Sequence, residues 1–474
     1  MPEKMLRLSA VGLIAACMTL SGCITPPKLP PPPRPITPES LGLAQQAAVT
    51  VPARDWWRAF NDPQLDLLMQ RTLAQNPSLA QAMARVQEAQ SLADVAHSGL
   101  LPSLAFNGHE TRERLSGHDP IPEPYPGSSQ WQGRVGVDLS WDLDFWGRQA
   151  SFVKQARAQT TAAGLDVASA RLALSGTVVQ AYIDLYRNNA LADVAQRTEA
   201  QRQRILDIAR ERLHSGLDTN VEVREASGAV PEAHVQWLQA QAAAALDTHQ
   251  LAALSGQGAA AYGQILRPTL DPAAILPLPA GLPADLLGHR PDVLAARERI
   301  EAAHAGQAAA KAAFYPDINL AAFAGMSSIG MMSKLLQGAS TTYGVGPAVH
   351  LPLFDAGELR AEYRGSAAES DAAVAAYNGS VLQAVRETSD ELSLVEALDA
   401  QLVAQQRSLD DAEAAYRLAE ERYRAGLANY LTVLTAETEV LSARREHVAL
   451  VSDEAIARVN LLLAVGGSFD PQAP

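Results

Sequence analysis

The chain has 474 residues and a formal net charge of −14. Phosphate binding needs a basic face, so this acidic balance argues against nucleic acid as a partner. Cys17 and Cys23, both near the start, are the two cysteines, which excludes a disulfide framework or a Cys-based metal site in the body of the protein.

Residues 1–22 read as a secretion signal. Lys4 and Arg7 form the charged start, and Leu8–Leu20 is an apolar core too short to span a bilayer comfortably. Leu20-Ser21-Gly22-Cys23 has the pattern at which bacterial lipoproteins are cleaved and acylated, so Cys23 is the expected lipidation site. Ile24, not Asp, follows it, and the resemblance to known lipoproteins implies transfer to the outer membrane. Cys17 is a weaker rival. Residues 23–55 form a Pro-rich tether, expected to be extended. Trp56-Trp57, with Phe60 and Leu65, reads as an aromatic plug on the body.

The body is duplicated. Asn76-Pro77 opens a helical run ending at Leu101-Pro102, and Arg290-Pro291 opens one ending at Tyr315-Pro316. Arg212–Leu217 matches Arg422–Leu427 at an offset of 210 residues, and Gly147 matches Gly357 at the same offset. The expected units are residues 56–285 and 286–467, followed by a tail over 468–474. Each has a first helix, a β-hairpin (about 102–147 and 316–357), a very long helix, a Gly turn and a second long helix. No proline lies between Gly147 and Gly216, or between Gly357 and Gly426. Each such helix would be roughly 100 Å long, which points to a coiled coil or a helical barrel. Val381, Thr388, Val395, Leu402, Leu409, Tyr416 and Tyr423 form a heptad seam. Pro231 is expected to interrupt and kink the helix after Gly216.

Trp131–Leu143 alternates strictly. Trp131, Val135, Val137, Leu139 and Trp141 face one way, and Gln132, Arg134, Asp138 and Ser140 the other. Tyr343–Leu353 repeats this more weakly, and Ser103–Thr111 and Asp317–Gly325 are the expected partners. An apolar face bounded by Trp131 and Trp141 suits a membrane barrel with aromatic girdles. Four strands per chain cannot close one, so a spanning sheet requires an oligomer. No other run reaches about 18 uninterrupted apolar residues, so no transmembrane helix is expected.

These residues together resemble the TolC-like outer-membrane factors, in their NodT-type efflux lipoprotein branch. The resemblance rests on Trp56-Trp57, Asn76-Pro77-Ser78-Leu79, Asp144-Phe145-Trp146-Gly147-Arg148, Leu282–Val293 with its His289-Arg290-Pro291-Asp292, and Arg422–Gly426 before Asn429-Tyr430-Leu431. It implies a mainly α fold with a small β part. Long antiparallel helices would form a periplasmic α-barrel, and three chains with four strands each would form a twelve-stranded membrane barrel. It also implies a homotrimer, partnered by a periplasmic adaptor and an inner-membrane pump, exporting small molecules passively from an outer-membrane location. Gly216, Leu217, Gly426 and Leu427 would lie at the periplasmic tips that meet the adaptor. Val221 and Leu431 would sit at the aperture with Glu225 and Thr435, although Thr435 replaces the family's Asp. Asp218, Glu222 and Arg224 are close by.

No nucleotide-binding, metalloprotease or nucleophile-elbow motif is present, and no enzyme activity or cofactor is expected. A periplasmic coiled-coil adaptor or scaffold lipoprotein is the principal alternative, and a lipid-anchored secreted enzyme a second.

Overall fold

The computed structural model describes residues 25–41, 54–118, 120–274, 276, 286–330 and 332–469. Cys23 and residues 277–285, which include part of the second-half motif, lie outside them.

After a short 3-10 helix at Trp56–Phe60, the chain forms α1 (Pro63–Gln75), α2 (Pro77–Ser98), β1 (Ser103–Arg114) and β2 (Ser129–Asp142). The long α3 (Arg148–His214) and α4 (Asn220–Leu254) follow. The one-turn α5 (Leu286–His289) precedes α6 (Pro291–Ala312), β3 (Asp317–Ile329), the one-turn α7 (Met332–Leu335) and β4 (Thr341–His350). The chain ends with α8 (Glu358–Arg424) and α9 (Tyr430–Ala464). From α2 and α6 onward the main elements of the two halves match in order. α2 and α6 have 22 residues each, α3 and α8 have 67, and α4 and α9 have 35.

Two compact units cut across this duplication. One holds residues 86–163 and 296–377; the other holds 36–85, 164–295 and 378–474. The first contains one antiparallel sheet in the order β1-β2-β3-β4. Leu104 lies opposite Leu139, Phe106 opposite Val137, and Ala324 opposite both Val137 and Tyr343, so the apolar residues share one face. β4 stops at His350, short of the expected Leu353: Pro347 and Pro352 each lack an N–H to extend the ladder. On the other face Arg134 Nη2 bonds Asp138 at 2.6 Å and its guanidinium lies 5.2 Å from the Phe323 ring centroid. Gly136 and Gly325 let β2 and β3 approach; a Cβ on Gly325 would meet the Val135 carbonyl at 2.3 Å.

The second unit carries the helical core. Trp56, Trp57, Phe60, Leu65 and Met69 pack with Val178, Val179, Tyr182 and Ile183 of α3 and with Val459 and Leu462 of α9. The aromatic plug is therefore a core wedge. Asp62 caps α1, accepting from Gln64 N (2.9 Å), and takes Tyr182 Oη (2.8 Å) and Thr269 N (2.7 Å) on its other oxygen. Its burial raises the carboxyl pKa, but these hydrogen bonds outweigh that and hold it below the ordinary range. The expected heptad seam is buried or half-buried along its whole length, from Val381 to Tyr423.

Two expectations change. α4 is continuous through Pro231. One missing N–H within 35 residues does not end a helix whose Ala226 and Ala233 are buried on either side. Also, α3 includes a stretch long and apolar enough, by length and composition, to cross a membrane. The stretch has no uninterrupted apolar run but a sufficient average. α3 as a whole, at 67 residues, is far longer than a span and sends Val178, Tyr182 and Ile183 into the core.

Each half docks its short helix in the same way. Asn76 caps α2 through Ser78 N and donates Nδ2 to the Leu254 carbonyl at the end of α4 (2.8 Å). Arg290, just before α6, donates Nη1 to the Ala464 carbonyl at the end of α9 (2.9 Å) and holds Asp292 with Nε and Nη2. Gly256 and Gly466 follow these helix ends at φ +70° and +96°. A Cβ at Gly466 would lie 2.1 Å from the His289 carbonyl oxygen, so the backbones touch there.

Candidate functional site

The expected tip and aperture residues converge where α3 turns into α4 and α8 into α9. Both turns are built alike. Gly216 (φ +69°) donates its N–H to Leu213 O and Leu217 to Arg212 O; Gly426 (φ +74°) donates to Tyr423 O and Leu427 to Arg422 O. A left-handed Gly after the helix satisfies the last carbonyls, and a β-carbon would strain this conformation. Leu217 and Leu427 are left exposed, at 62% and 70%.

The next helices start on different caps. Thr219 and Glu222 form a reciprocal capping box, with Glu222 Oε2 accepting Thr219 N at 2.8 Å. Asn429 accepts Thr432 N at 3.1 Å. Val221 and Leu431, the second residues of α4 and α9, stand 61% and 64% exposed. Glu225 is exposed one turn further. Thr435 is also exposed, but its hydroxyl donates to the Leu431 carbonyl (2.9 Å).

A network not foreseen from sequence ties the two turns. Arg212, 9% exposed, grips Asp218 with Nε (2.9 Å) and Nη2 (3.0 Å), and donates Nη1 to the Tyr423 carbonyl (2.8 Å). The Tyr423 hydroxyl donates to Asp218 at 2.5 Å, and the guanidinium lies 4.5 Å from the Tyr423 ring centroid. The Arg212 hydrogen bonds and then the Tyr423 hydroxyl hold the Asp218 carboxyl below its ordinary pKa. Asp218 is thus a buried structural anion, and Glu222 is a cap. The sequence signal was available: Ala428 occupies the position 210 residues after Asp218, so the carboxylate is a point where the halves differ.

Behind the turns, Ile205, Leu206, Ala209, Tyr416, Tyr423, Tyr430, Val433 and Val440 form one apolar cluster. Beside it lies a second buried charge pair, Arg202 Nε and Glu437 Oε2 at 3.4 Å. Arg202 also donates Nη1 to the Ala229 carbonyl (2.8 Å) and to Glu232 (2.9 Å). Burial pushes the Glu437 carboxyl up, and Arg202 pulls it back only in part. Among the described residues no group of three His, Cys, Asp or Glu is placed to hold a metal.

In the sheet unit, Trp131 and Trp141 share the apolar face of β2, 42% and 37% exposed, and Trp141 Nε1 donates to the Leu100 carbonyl at 3.0 Å. Further aromatics stand where strands pass into helices. Phe145 and Phe354 are exposed, and Trp146 stacks on Tyr315 at 4.9 Å.

The family model described as outer membrane efflux protein matches this chain twice, over residues 68–257 and 282–467. The chain belongs to that family. The fusaric acid resistance protein FusA of Burkholderia cepacia is 36% identical over 74% of this chain and 68% of its own length. The probable efflux pump outer membrane protein TtgC of Pseudomonas putida is 30% identical over 98% of this chain and 96% of its own. Among solved structures, the outer membrane protein VceC of Vibrio cholerae aligns with a TM-score of 0.83 at 32% identity, covering 88% of this chain and all of its own. The mainly helical channel fold, the outer-membrane location and the export function follow from this membership, and the adaptor alternative falls away.

Proposed function

We propose that this outer-membrane efflux channel works as a lipid-anchored homotrimer, the passive exit duct for small organic molecules delivered by an inner-membrane pump through a periplasmic adaptor. The observation that carries the trimer is the sheet. Among the described residues it has four strands, an apolar face and two unpaired edges, β1 and β4. Membrane barrels begin at about eight strands, so closure takes further copies. Three would give twelve strands, with Trp131 and Trp141 at the girdle levels.

In this reading residues 56–285 and 286–467 are the two repeats, on a tether acylated at Cys23 after removal of residues 1–22. Gly216, Leu217, Gly426 and Leu427 form the adaptor-facing tips. Val221 and Leu431, with Glu225 and Thr435, line the aperture. Transport involves no catalytic step or cofactor. The names of FusA and of a toluene efflux pump protein among the relatives support small aromatic cargo.

Light scattering of the detergent-purified protein tests the assembly. A particle of three chain masses is expected, and a monomer would overturn it. Labelled palmitate should enter the wild type and not Cys23→Ala. Equal labelling would remove the anchor.

A further inference from the structure

The outward face of the sheet changes character along its length. On β1 it reads Leu104, Phe106, Gly108, Glu110, Arg112, Arg114, from the helix end to the loop end. Leu104 and Phe106 are 71% and 72% exposed, and both arginines are exposed. Arg112 lies opposite Trp131 in the register, with its guanidinium carbon 5.9 Å from the indole centroid. Neither arginine has an ion-pair partner among the described residues.

The β3–β4 loop returns to the same place. Gly330 donates its N–H to the Trp131 carbonyl at 2.7 Å. Leu335 of α7 is buried over Gly133, where a Cβ would come within 3.0 Å of its methyl. Gly133 shares the face of Trp131 and Val135, so the loop leans onto the apolar side. Lys334 and Leu336 of this loop are exposed, the latter at 67%. Arg112 and Arg114, with Glu110 on their face of β1 and Glu113 on the other, thus stand next to an indole at the rim of an apolar band.

We propose that Arg112 and Arg114, with Lys334 of the adjoining loop, bind the phosphate groups of an anionic lipid in the outer leaflet, with Trp131 and Leu336 against its acyl chains. Cations at the boundary gain from headgroup charge, while indole and leucine gain from the adjoining hydrocarbon. A free phosphate would use the charges and leave the apolar half of the patch without a role. The site rests on the membrane-spanning reading of the sheet.

The test uses the full-length channel in detergent and native mass spectrometry, with bisphosphorylated lipid A, its dephosphorylated form and phosphatidylcholine as probes. The wild type should retain the phosphorylated lipid selectively. The exposed-residue variant R112Q/R114Q/K334Q should bind it on the order of tenfold more weakly or worse. Equal retention of both lipid A forms, or unchanged retention by the variant, would overturn the site. Inorganic phosphate competing at concentrations equal to the lipid would assign the charges to a free anion and overturn it too. A separate readout checks the underlying reading: quenching of Trp131 by brominated lipid, taken as the difference between wild type and Trp131→Phe in vesicles. No difference would overturn the spanning sheet itself, whereas quenching with non-selective retention would overturn the lipid site alone.

Discussion

The hydroxyl of Tyr423, at the end of one 67-residue helix, donates to the carboxylate of Asp218, just past the end of the other, at 2.5 Å. Arg212 closes the triangle, so the two turns hold one another. Asp218→Asn removes the charge, and Tyr423→Phe removes one donor. Either should raise amide exchange in both turns, 213–221 and 423–431, with the Asn change larger because a charged bond is lost, about 1.5–3 kcal/mol. The Asp218 pKa is depressed in the folded state. Its contribution is therefore complete above the ordinary carboxylate range and lost as pH falls through the depressed value. Exchange confined to one turn would show that they are not coupled.

Leu431 and Val221 stand exposed on the first turns of α9 and α4, outside the apolar cluster behind the turns. As aperture residues they would be covered by their copies in the trimer. Leu431→Ala with Val221→Ala should raise basal conductance in planar bilayers and sensitise cells to large antibiotics normally kept out. Wild-type conductance and sensitivity would place the constriction elsewhere.

Arg202 and Glu437 are nearly buried, at 9% and 4% exposure. Arg202→Met strands the carboxylate and should cost about 3–5 kcal/mol if Glu437 stays ionised, or less if it takes up a proton. Because burial already raises the Glu437 pKa, the single variant should regain stability as pH is lowered through that value. The double change with Glu437→Leu should be milder at neutral pH. Thermal unfolding in detergent, at pH 5 and pH 8, reads all three. A double variant worse than the single would show that the stranded carboxylate is not what destabilises Arg202→Met.

Gly466 combines a φ of +96° with a backbone neighbour 2.1 Å from any Cβ. Gly466→Ala should lower the melting temperature more than Gly216→Ala, whose turn has a similar sign of φ but open space. The strain of a non-Gly residue there is about 1–3 kcal/mol, and the clash adds to it. Equal melting temperatures would mean that the α6 start can move away.

The repeat was readable because its punctuation survives: Pro77 and Pro291, Gly216 and Gly426, and Gly147 and Gly357 bound elements that the structure shows to be equal in length. The strands were readable from period-two alternation, because their two faces meet different solvents. Single-residue couplings were not. Asp218 reads as helix-start charge until Tyr423, 205 residues away, is seen beside it. Arg290 reads only as the residue that opens a helical run until its partner, the Ala464 carbonyl, which has no sequence signature, is placed. Pro231 misleads because local propensity is overridden by packing along a long helix.

The sheet's two bare edges also bear on the life of the chain before assembly. β1 offers 12 residues and β4 offers 10, each with one side of backbone donors and acceptors unmet. Unmet edges pair with whatever strand arrives first, and water outside the bilayer does nothing to select the right one. A newly exported chain is thus sticky until its siblings arrive. Its biogenesis should depend on periplasmic holding factors and on local chain concentration more steeply than that of a barrel one chain can close alone.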